Sequence, residues 1–265
     1  KEGAGLAELS WPRNAKGYEY SVGLQLKQED IEGQETRSAS LGAKRSRTRG
    51  QIETTLSLQY QIEEQTIGDV LDERNEALAL NYAWTQRTVG RAIYPRRGYV
   101  LTLQGGGAAE ALLSETSFIR LYARHTQHFR AGDNGRLVLR GELGGVLAET
   151  REGIPTGFLF RAGGDNSVRG YAFESLGRTL EGGVASVRYL ATGSVEYNYF
   201  FNRDWGAALF VDAGDAADSP GKLSPVFGYG VGARYRSPVG PVNLDLAYGE
   251  DTDEVRLHFS LGVSF

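Results

Sequence analysis

Strict alternation of side-chain character constrains the fold of this chain more than any other feature. Over residues 51–63, apolar residues or threonine alternate with polar residues without exception. One face of this segment carries Ile52, Thr54, Leu56, Leu58, Tyr60 and Ile62. Successive side chains of a β-strand point to opposite faces, so a period of two predicts a strand with one apolar and one polar face.

The same alternation recurs along the chain and predicts about thirteen strands. The predicted strands cover residues 2–11, 17–28, 36–47, 51–63, 75–87, 98–106, 114–129, 135–148, 192–201, 205–213, 226–237, 241–249 and 255–265. Most of them span about 9 to 13 residues, which suits tilted strands that cross a bilayer better than the shorter strands of soluble sheets. Short turns such as residues 13–16 predict that each strand pairs antiparallel with the next.

Charged residues on the polar faces distinguish between two ways of using such strands. These residues are Arg120, Arg124, Arg136, Arg140, Glu142, Glu196, Asp212, Arg234, Arg236 and Asp245. A soluble β-sandwich, which is the alternative, would bury one face of every strand in a shared core. A water-filled lumen accommodates these charges, and Tyr and Trp near strand ends fit aromatic girdles. We therefore predict an all-β fold, a transmembrane antiparallel up-and-down β-barrel.

Composition agrees with a barrel and excludes several other classes. No window approaches eighteen uncharged apolar residues, so no transmembrane helix is expected, and the mean hydropathy of −0.36 suits a barrel with a polar interior. The 29 basic and 33 acidic residues argue against a nucleic-acid-binding domain. The absence of cysteine excludes disulfides and thiolate metal sites. Because methionine is also absent, we expect the chain to be a piece of a longer protein.

The alternation stops between residues 149 and 183. Side chains that need cover are nevertheless present there, namely Phe158, Phe160, Val168, Tyr171 and Phe173. We therefore expect this long loop to fold into the barrel lumen, with glycines at 163, 164 and 170 permitting its tight turns. A phosphate-binding cradle at residues 163–165 is disfavoured, because no Gly-Lys-Ser/Thr sequence follows it.

Three short motifs carry a resemblance to a known family. The loop sequence around residues 168–171 resembles the conserved sixth extracellular loop of the outer-membrane assembly-factor superfamily, which includes BamA and TamA. Residues 193–196 are similar to its Gly-x-x-Glu strand motif, and residues 210–214 to its Phe-x-Asp-x-Gly motif. The motif residues are Val168, Arg169, Gly170, Tyr171, Gly193, Glu196, Phe210, Asp212 and Gly214. Residues 162–171, together with 237–242, look most like TamA.

The resemblance also implies which part of a barrel this chain represents. Family barrels have sixteen strands, with the arginine loop between the eleventh and twelfth. Eight strands are predicted before the loop and five after it. We therefore expect residues 1–265 to form one barrel domain truncated at its N-terminus, with about three strands and the POTRA domains absent.

Strand parity places Glu196 and Asp212 on the lumen faces of two adjacent strands. An arginine on an inward-folded loop could bridge them, because its planar guanidinium suits bidentate contacts with carboxylates. From the residues alone, both carboxylates could equally be ordinary members of the polar lumen lining. With the resemblance added, we predict that Arg169 contacts Asp212, Glu196 or both and so locks the loop.

Enzymatic and metal-binding interpretations have weaker support. Paired carboxylates would suit a glycosidase or an aspartic protease. A metal site at His125 and His128 is disfavoured because these residues point to opposite faces of a strand, and His258 is expected to have a polar role on the lumen face. The glycines at 228, 230 and 232 lie within a strand and are expected to leave lumen room for the loop. No catalytic residue, cofactor or metal is predicted.

The resemblance implies a function in the bacterial outer membrane, without bond chemistry. The implied role is insertion or translocation of other outer-membrane proteins, such as autotransporters. In this family picture the first and last strands pair weakly and open a lateral seam that templates a client strand. Implied partners are client proteins, outer-membrane lipid and an inner-membrane-anchored TamB-like protein that binds the missing POTRA region. The alternative is a passive pore or a two-partner secretion channel.

Overall fold

Thirteen antiparallel strands, each paired with its neighbour in the chain, form one sheet in the computed structural model, which describes residues 2–89, 94–238 and 240–262. The strands are β1 Glu2–Trp11, β2 Tyr18–Ile31, β3 Gln34–Arg49, β4 Ile52–Ile67, β5 Leu71–Arg87, β6 Gly98–Ala108, β7 Phe118–Ala131, β8 Gly135–Leu147, β11 Tyr189–Phe200, β12 Trp205–Ala217, β13 Val226–Ser237, β14 Gly240–Gly249 and β15 Glu254–Leu261. A separate hairpin consists of β9 Arg178–Leu180 and β10 Gly183–Ala185. The described residues include no helix long and apolar enough to cross a membrane.

This sheet confirms the predicted all-β antiparallel architecture, and most strand boundaries lie within a few residues of their predicted positions. The largest shifts are at the end of the sheet from which the long loop between β8 and β11 departs. For example, β5 begins at Leu71 and not at residue 75, because the charged residues that follow Leu71 hide the start of the alternation. The last predicted strand is β15, which ends at Leu261, while residues 263–265 lie outside the described residues.

The loop between β8 and β11 contains regular structure that the sequence did not reveal. A 3₁₀ turn spans Thr156–Phe158, the β9–β10 hairpin follows the arginine motif, and β11 begins at Tyr189, before the predicted residue 192. Strands of three residues are too short to display a period of two. Residues 149–183 were therefore predicted only as a long loop without alternation, and the β9–β10 hairpin was missed.

Alternation separates the two faces of the wall as predicted. On β12, Leu209 and Val211 are 62% and 50% exposed, whereas Phe210 and Asp212 between them are buried. The neighbouring β11 repeats this pattern, with Val195 and Tyr197 exposed and the side chain of Glu196 turned inward. Apolar residues thus cover the outside and polar residues line the inside, as in outer-membrane barrels.

The two ends of the barrel differ. At one end, called the loop end, the long loop enters the lumen beside the turn at Glu32–Gly33. The opposite end, called the turn end, carries an exterior belt of aromatic residues, which includes Trp11, Tyr20, Tyr199, Trp205 and Tyr235. The rings of Trp205 and Tyr235 pack with their centroids 4.6 Å apart. Such a belt marks the boundary between lipid and water.

Aromatic and aliphatic side chains of the long loop form the main apolar core inside the lumen. Phe158 and Phe160 are buried there, and Phe118 and Val146 of the wall pack in the same cluster. The ring of Phe160 stacks on Tyr122, with the centroids 6.2 Å apart. The loop therefore folds inward, as the aromatic content of the segment led us to expect.

The loop also contacts the wall through hydrogen bonds on the side of β3 and β4. The backbone N–H and the hydroxyl of Thr156 each donate to Glu63 of β4 at 2.8 Å. Further along the loop, the backbone N–H of Ser186 donates to Gln34 of β3 at 3.1 Å. These bonds fix both ends of the loop to the first half of the sheet.

Glycines create the room in which the loop lies. A Cβ atom on Gly228 of β13 would overlap the carbonyl oxygen of Arg169, and one on Gly144 of β8 would lie 2.6 Å from the ring of Phe160. By contrast, a Cβ on Gly193 of β11 would meet nothing closer than a backbone oxygen at 4.0 Å. The glycine at 228 is thus required by the inserted loop, whereas the glycine at 193 is not.

We predict that Gly228→Ala destabilises the folded barrel by about 1–3 kcal/mol, because the new methyl group overpacks the contact between wall and loop. The matched substitution Gly193→Ala on β11 should change stability by less than about 0.5 kcal/mol. Denaturant unfolding of both variants in detergent measures the difference. Equal effects of the two substitutions would contradict the proposed packing.

Candidate functional site

The arginine motif lies at the tip of a small closed loop within the lumen. Ala162 and Leu176 exchange two backbone hydrogen bonds, of 2.9 and 2.8 Å, which close this loop. Inside it, the N–H of Gly164 donates to the carbonyl of Val168 at 3.1 Å. Gly163, Gly164 and Gly170 have φ values of +106°, +91° and +96°, which favour glycine. The sequence therefore builds a tight turn that presents Arg169.

Arg169 contacts both carboxylates that strand parity placed on the lumen face. Its Nε and Nη2 bind Oδ2 and Oδ1 of Asp212 at 2.7 and 3.0 Å, which is a bidentate pair. Its backbone N–H also donates to Asp212 at 3.1 Å, and its Nη1 donates to Glu196 at 2.7 Å. The structure thus brings the loop arginine together with β11 and β12.

Phe210 forms one wall of this arginine site. The Cζ atom of Arg169 lies 3.4 Å from the centroid of the Phe210 ring, a cation–π contact in which both residues are buried. Phe210 is on the same inward face of β12 as Asp212. The ring therefore holds the guanidinium plane while the carboxylate of Asp212 binds its edge.

Two further residues of the cluster were predicted to face the lumen, but the sequence did not link them to Arg169. Asp245 of β14 accepts a hydrogen bond from Nη1 of Arg169 at 3.0 Å. Arg234 of β13 donates to Glu196 at 2.9 Å and also pairs with Asp245. Strand parity gave the correct face for both residues. It could not show that they meet Arg169, since parity carries no information about distance across the lumen.

His258 connects the loop to β15. Its Nε2 accepts a hydrogen bond from the backbone N–H of Gly170 at 3.0 Å, and its Nδ1 contacts the carboxylate of Asp165. The side chain lies on the lumen face, where a polar role was expected. Sequence reasoning did not identify its loop partners, because the path of the loop could not be read from strand parity.

The remaining motif residues divide into two groups. Val168 is fully buried, and the hydroxyl of Tyr171 donates to the carbonyl of Phe227 at 3.2 Å and accepts from the N–H of Asp251 at 3.1 Å. Gly193 faces outward, and Gly214 packs against Thr192 of the neighbouring strand. The structure therefore does not bring Gly193 or Gly214 into the arginine cluster.

Burial and opposite charge together define the electrostatics of the cluster. Burial alone would lower the pKa of Arg169, but its hydrogen bonds to Asp212 and the charges of Asp212 and Glu196 raise that pKa above its ordinary value. Two guanidinium groups face three carboxylates, and removal of Arg169 would leave carboxylates poorly compensated. The arrangement is suited to holding the loop in place.

The two histidines at which a metal site was considered and disfavoured do not join the arginine cluster. His125 is exposed on the outer face, whereas His128 points inward. Among the described residues, no group of three His, Asp or Glu side chains is arranged to hold a metal ion.

We predict that Arg169→Ala and Asp212→Ala each weaken the inserted position of the loop by about 3–5 kcal/mol, because each leaves a buried charge without its partner. The double variant should cost less than the sum of the two, since neither charge is then stranded. Native-state hydrogen exchange of the amides of residues 163–177 measures each value. Strictly additive effects would contradict a direct pair.

Comparison with known proteins identifies the family. The Omp85 superfamily domain matches residues 5–265. The chain is 36% identical over 108 residues to Outer envelope protein 80, chloroplastic, of Arabidopsis thaliana, which corresponds to 39% of this chain and 14% of that protein. It is 35% identical over 157 residues to the protein of the same name from Oryza sativa, covering 55% of this chain and 22% of the relative. The chain therefore spans only a fraction of these relatives.

Solved structures show the same fold. BamA from Haemophilus ducreyi, in a crystal structure lacking POTRA domains 1–3, superposes with a TM-score of 0.79 at 15% identity, over all of this chain and 62% of that one. CdiB from Acinetobacter baumannii gives a TM-score of 0.63 at 15% identity, over all of this chain and 50% of that one. These likenesses support the barrel fold, while the closer resemblance to TamA remains a prediction.

Family membership also bears on location and activity. Omp85 barrels are outer-membrane proteins that insert or transport other proteins and are not enzymes. The outward apolar wall, the polar lumen and the arginine loop are all consistent with this. The chain belongs to the Omp85 superfamily.

Proposed function

We propose that this chain is the barrel of a factor that inserts or translocates other outer-membrane proteins, autotransporters among them. The observation that carries the proposal is the arginine cluster, which ties the inserted loop to the last strands of the sheet. Through Asp212, Asp245 and His258 the loop contacts β12, β14 and β15. A loop held in this way supports the wall next to the edge of the sheet.

The edge itself supports a templating role. Within the described residues, β15 pairs with β14 alone, and β1 stands at the other end of the sheet. An unpaired strand edge offers a row of N–H and C=O groups to an incoming strand. We propose that a client strand adds to such an edge by β-augmentation, at a seam between the last strand and the first strand of the whole barrel.

The domain arrangement of the whole protein is part of the proposal. We infer that about three strands and POTRA domains precede residue 1 in the complete protein. In support, this chain covers 62% of a BamA chain whose description names POTRA domains. We propose that a TamB-like, inner-membrane-anchored protein binds that upstream region. We also propose that the complete protein is of the TamA type.

A passive pore or a two-partner secretion channel is the second candidate, and the fold shared with CdiB is compatible with it. The packed lumen distinguishes the candidates. Phe158, Phe160 and Arg169 of the loop are buried within the barrel. A lumen occupied in this way supports an insertion factor better than a permanently open pore.

We predict that Arg169→Ala in the full-length protein lowers client insertion roughly tenfold or more, because loss of the buried pairs shifts the loop away from its inserted position. Assembly of an autotransporter into proteoliposomes measures the effect. Planar-bilayer conductance of the unsubstituted protein tests the second candidate.

The matched control is Arg178→Ala, which removes an arginine of the same loop whose side chain is half exposed and lies 3.6 Å from Asp218. An exposed pair of this kind contributes little, so insertion should be unchanged. Full activity of Arg169→Ala would argue against the arginine cluster as the basis of the function. A large, stable conductance without client insertion would favour the pore.

A further inference from the structure

The outer face of β3 changes from apolar to basic towards the turn end. From the loop end to the turn end, its outward residues are Glu35, Arg37, Ala39, Leu41, Ala43, Arg45, Arg47 and Arg49. Leu41 is 54% exposed, as expected of a side chain that faces lipid. Beyond the uncharged stretch from Ala39 to Ala43, positive charge returns at Arg45, on the side of the wall that faces the membrane.

Tyrosines of β2 lie beside these arginines. The strand register pairs Tyr20 with Arg45 and Tyr18 with Arg47. The Cζ atoms of Arg45 and Arg47 lie 5.0 and 4.8 Å from the centroid of the Tyr18 ring. Nη1 of Arg47 also donates to the hydroxyl of Tyr18 at 3.4 Å. A single ring thus holds two guanidinium groups next to each other.

Among the residues that the structure describes, no carboxylate forms an ion pair with Arg45 or Arg47. Their cross-strand neighbours on β4 are Leu56 for Arg45 and Thr54 for Arg47. In this region of the described chain, the ion pairs are Lys44 with Glu8 and Arg13 with Glu19, and neither involves Arg45 or Arg47. Two adjacent positive charges at a lipid-facing surface attract a negatively charged partner from outside the chain.

The position of the pair along the strand fits the boundary of a membrane. The step from Arg37 to Arg45 covers about 27 Å along the strand, at a rise of about 3.4 Å per residue. A tilt of about 40° reduces this to roughly 20 Å of height, close to the apolar band of about 25 Å of outer-membrane barrels. Arg45 and Arg47 thus lie at the level of the lipid headgroups. Short turns of such barrels face the periplasm, which assigns this level to the periplasmic side.

We propose that Arg45, Arg47 and Tyr18 form a binding site for the phosphate group of a phospholipid on the periplasmic side of the membrane. The guanidinium groups supply paired N–H donors that match phosphate oxygens. Tyr18 keeps both groups in place, and Arg49 adds positive charge one step closer to water. The acyl chains of the bound lipid lie against the exposed side chains of Leu24 and Leu41.

The test titrates phosphatidylglycerol into the full-length protein in micelles of a non-ionic detergent, with native mass spectrometry counting bound lipid. Arg45→Gln with Arg47→Gln should bind roughly tenfold more weakly, since each arginine contributes attraction to a phosphate at the membrane surface. Unchanged affinity in this double variant would overturn the proposal. Heat-modifiable migration on a gel verifies that each variant is folded.

The matched control is Arg37→Gln, on the same face of the same strand at the loop end. Its cross-strand neighbour on β4 is Glu64, which provides a negative charge within the chain. Lipid affinity should be unchanged in this variant, and an equal loss would reduce the effect to general surface charge and overturn the site. If the glutamine double variant does not fold, Arg45→Lys with Arg47→Lys replaces it. Loss of the planar guanidinium groups should then weaken lipid binding roughly threefold, and unchanged lipid affinity would overturn the assignment.

Inorganic phosphate distinguishes a lipid site from a site for a free anion. Phosphate added without lipid should leave the protein unliganded at concentrations at which phosphatidylglycerol saturates it. This is expected because the apolar face beneath the arginines binds acyl chains as well. Equal binding of inorganic phosphate would overturn the lipid assignment.

Discussion

A buried guanidinium group among three carboxylates is the interaction on which the rest of the structure depends. Arg169 binds Asp212, Glu196 and Asp245, and Arg234 adds a second positive charge that pairs with Glu196 and Asp245. Each charge is tolerated in the packed lumen only while the others remain, because a stranded charge costs several kcal/mol. The contacts of the cluster therefore depend on one another. The loop is held by all of them together rather than by any one bond.

The regular part of this fold could be predicted from the sequence, and the irregular part only in outline. Lipid outside and polar groups inside make every strand alternate, so the thirteen strands and the inward direction of Glu196 and Asp212 follow from parity. Parity says nothing about which inward residues meet across the lumen. Asp245 and His258 were for that reason placed on the right face without their partners. The β9–β10 hairpin was missed because three residues show no period.

Local preference and global packing conflict in one strand, and packing prevails. β13 contains glycines at 228, 230 and 232, which weaken a strand considered by itself. A side chain at Gly228 would overlap the loop, and one at Gly232 would overlap Asp245. The strand thus loses local stability so that the loop and the charge cluster fit. Such a departure from local rules is typical of functional sites.

The loop joins two opposite parts of the wall. Thr156 and Ser186 attach it to β4 and β3, whereas Arg169 and Gly170 attach it to β12 and β15. The loop therefore links two sides of the wall across the lumen. The width of the lumen at this depth is set by the span of the loop as well as by the number of strands. If a client strand adds at the edge of the sheet, as proposed above, the loop still links the same strands across the lumen. The circumference of the wall and the width of the lumen at the depth of the loop are thereby determined separately in this barrel.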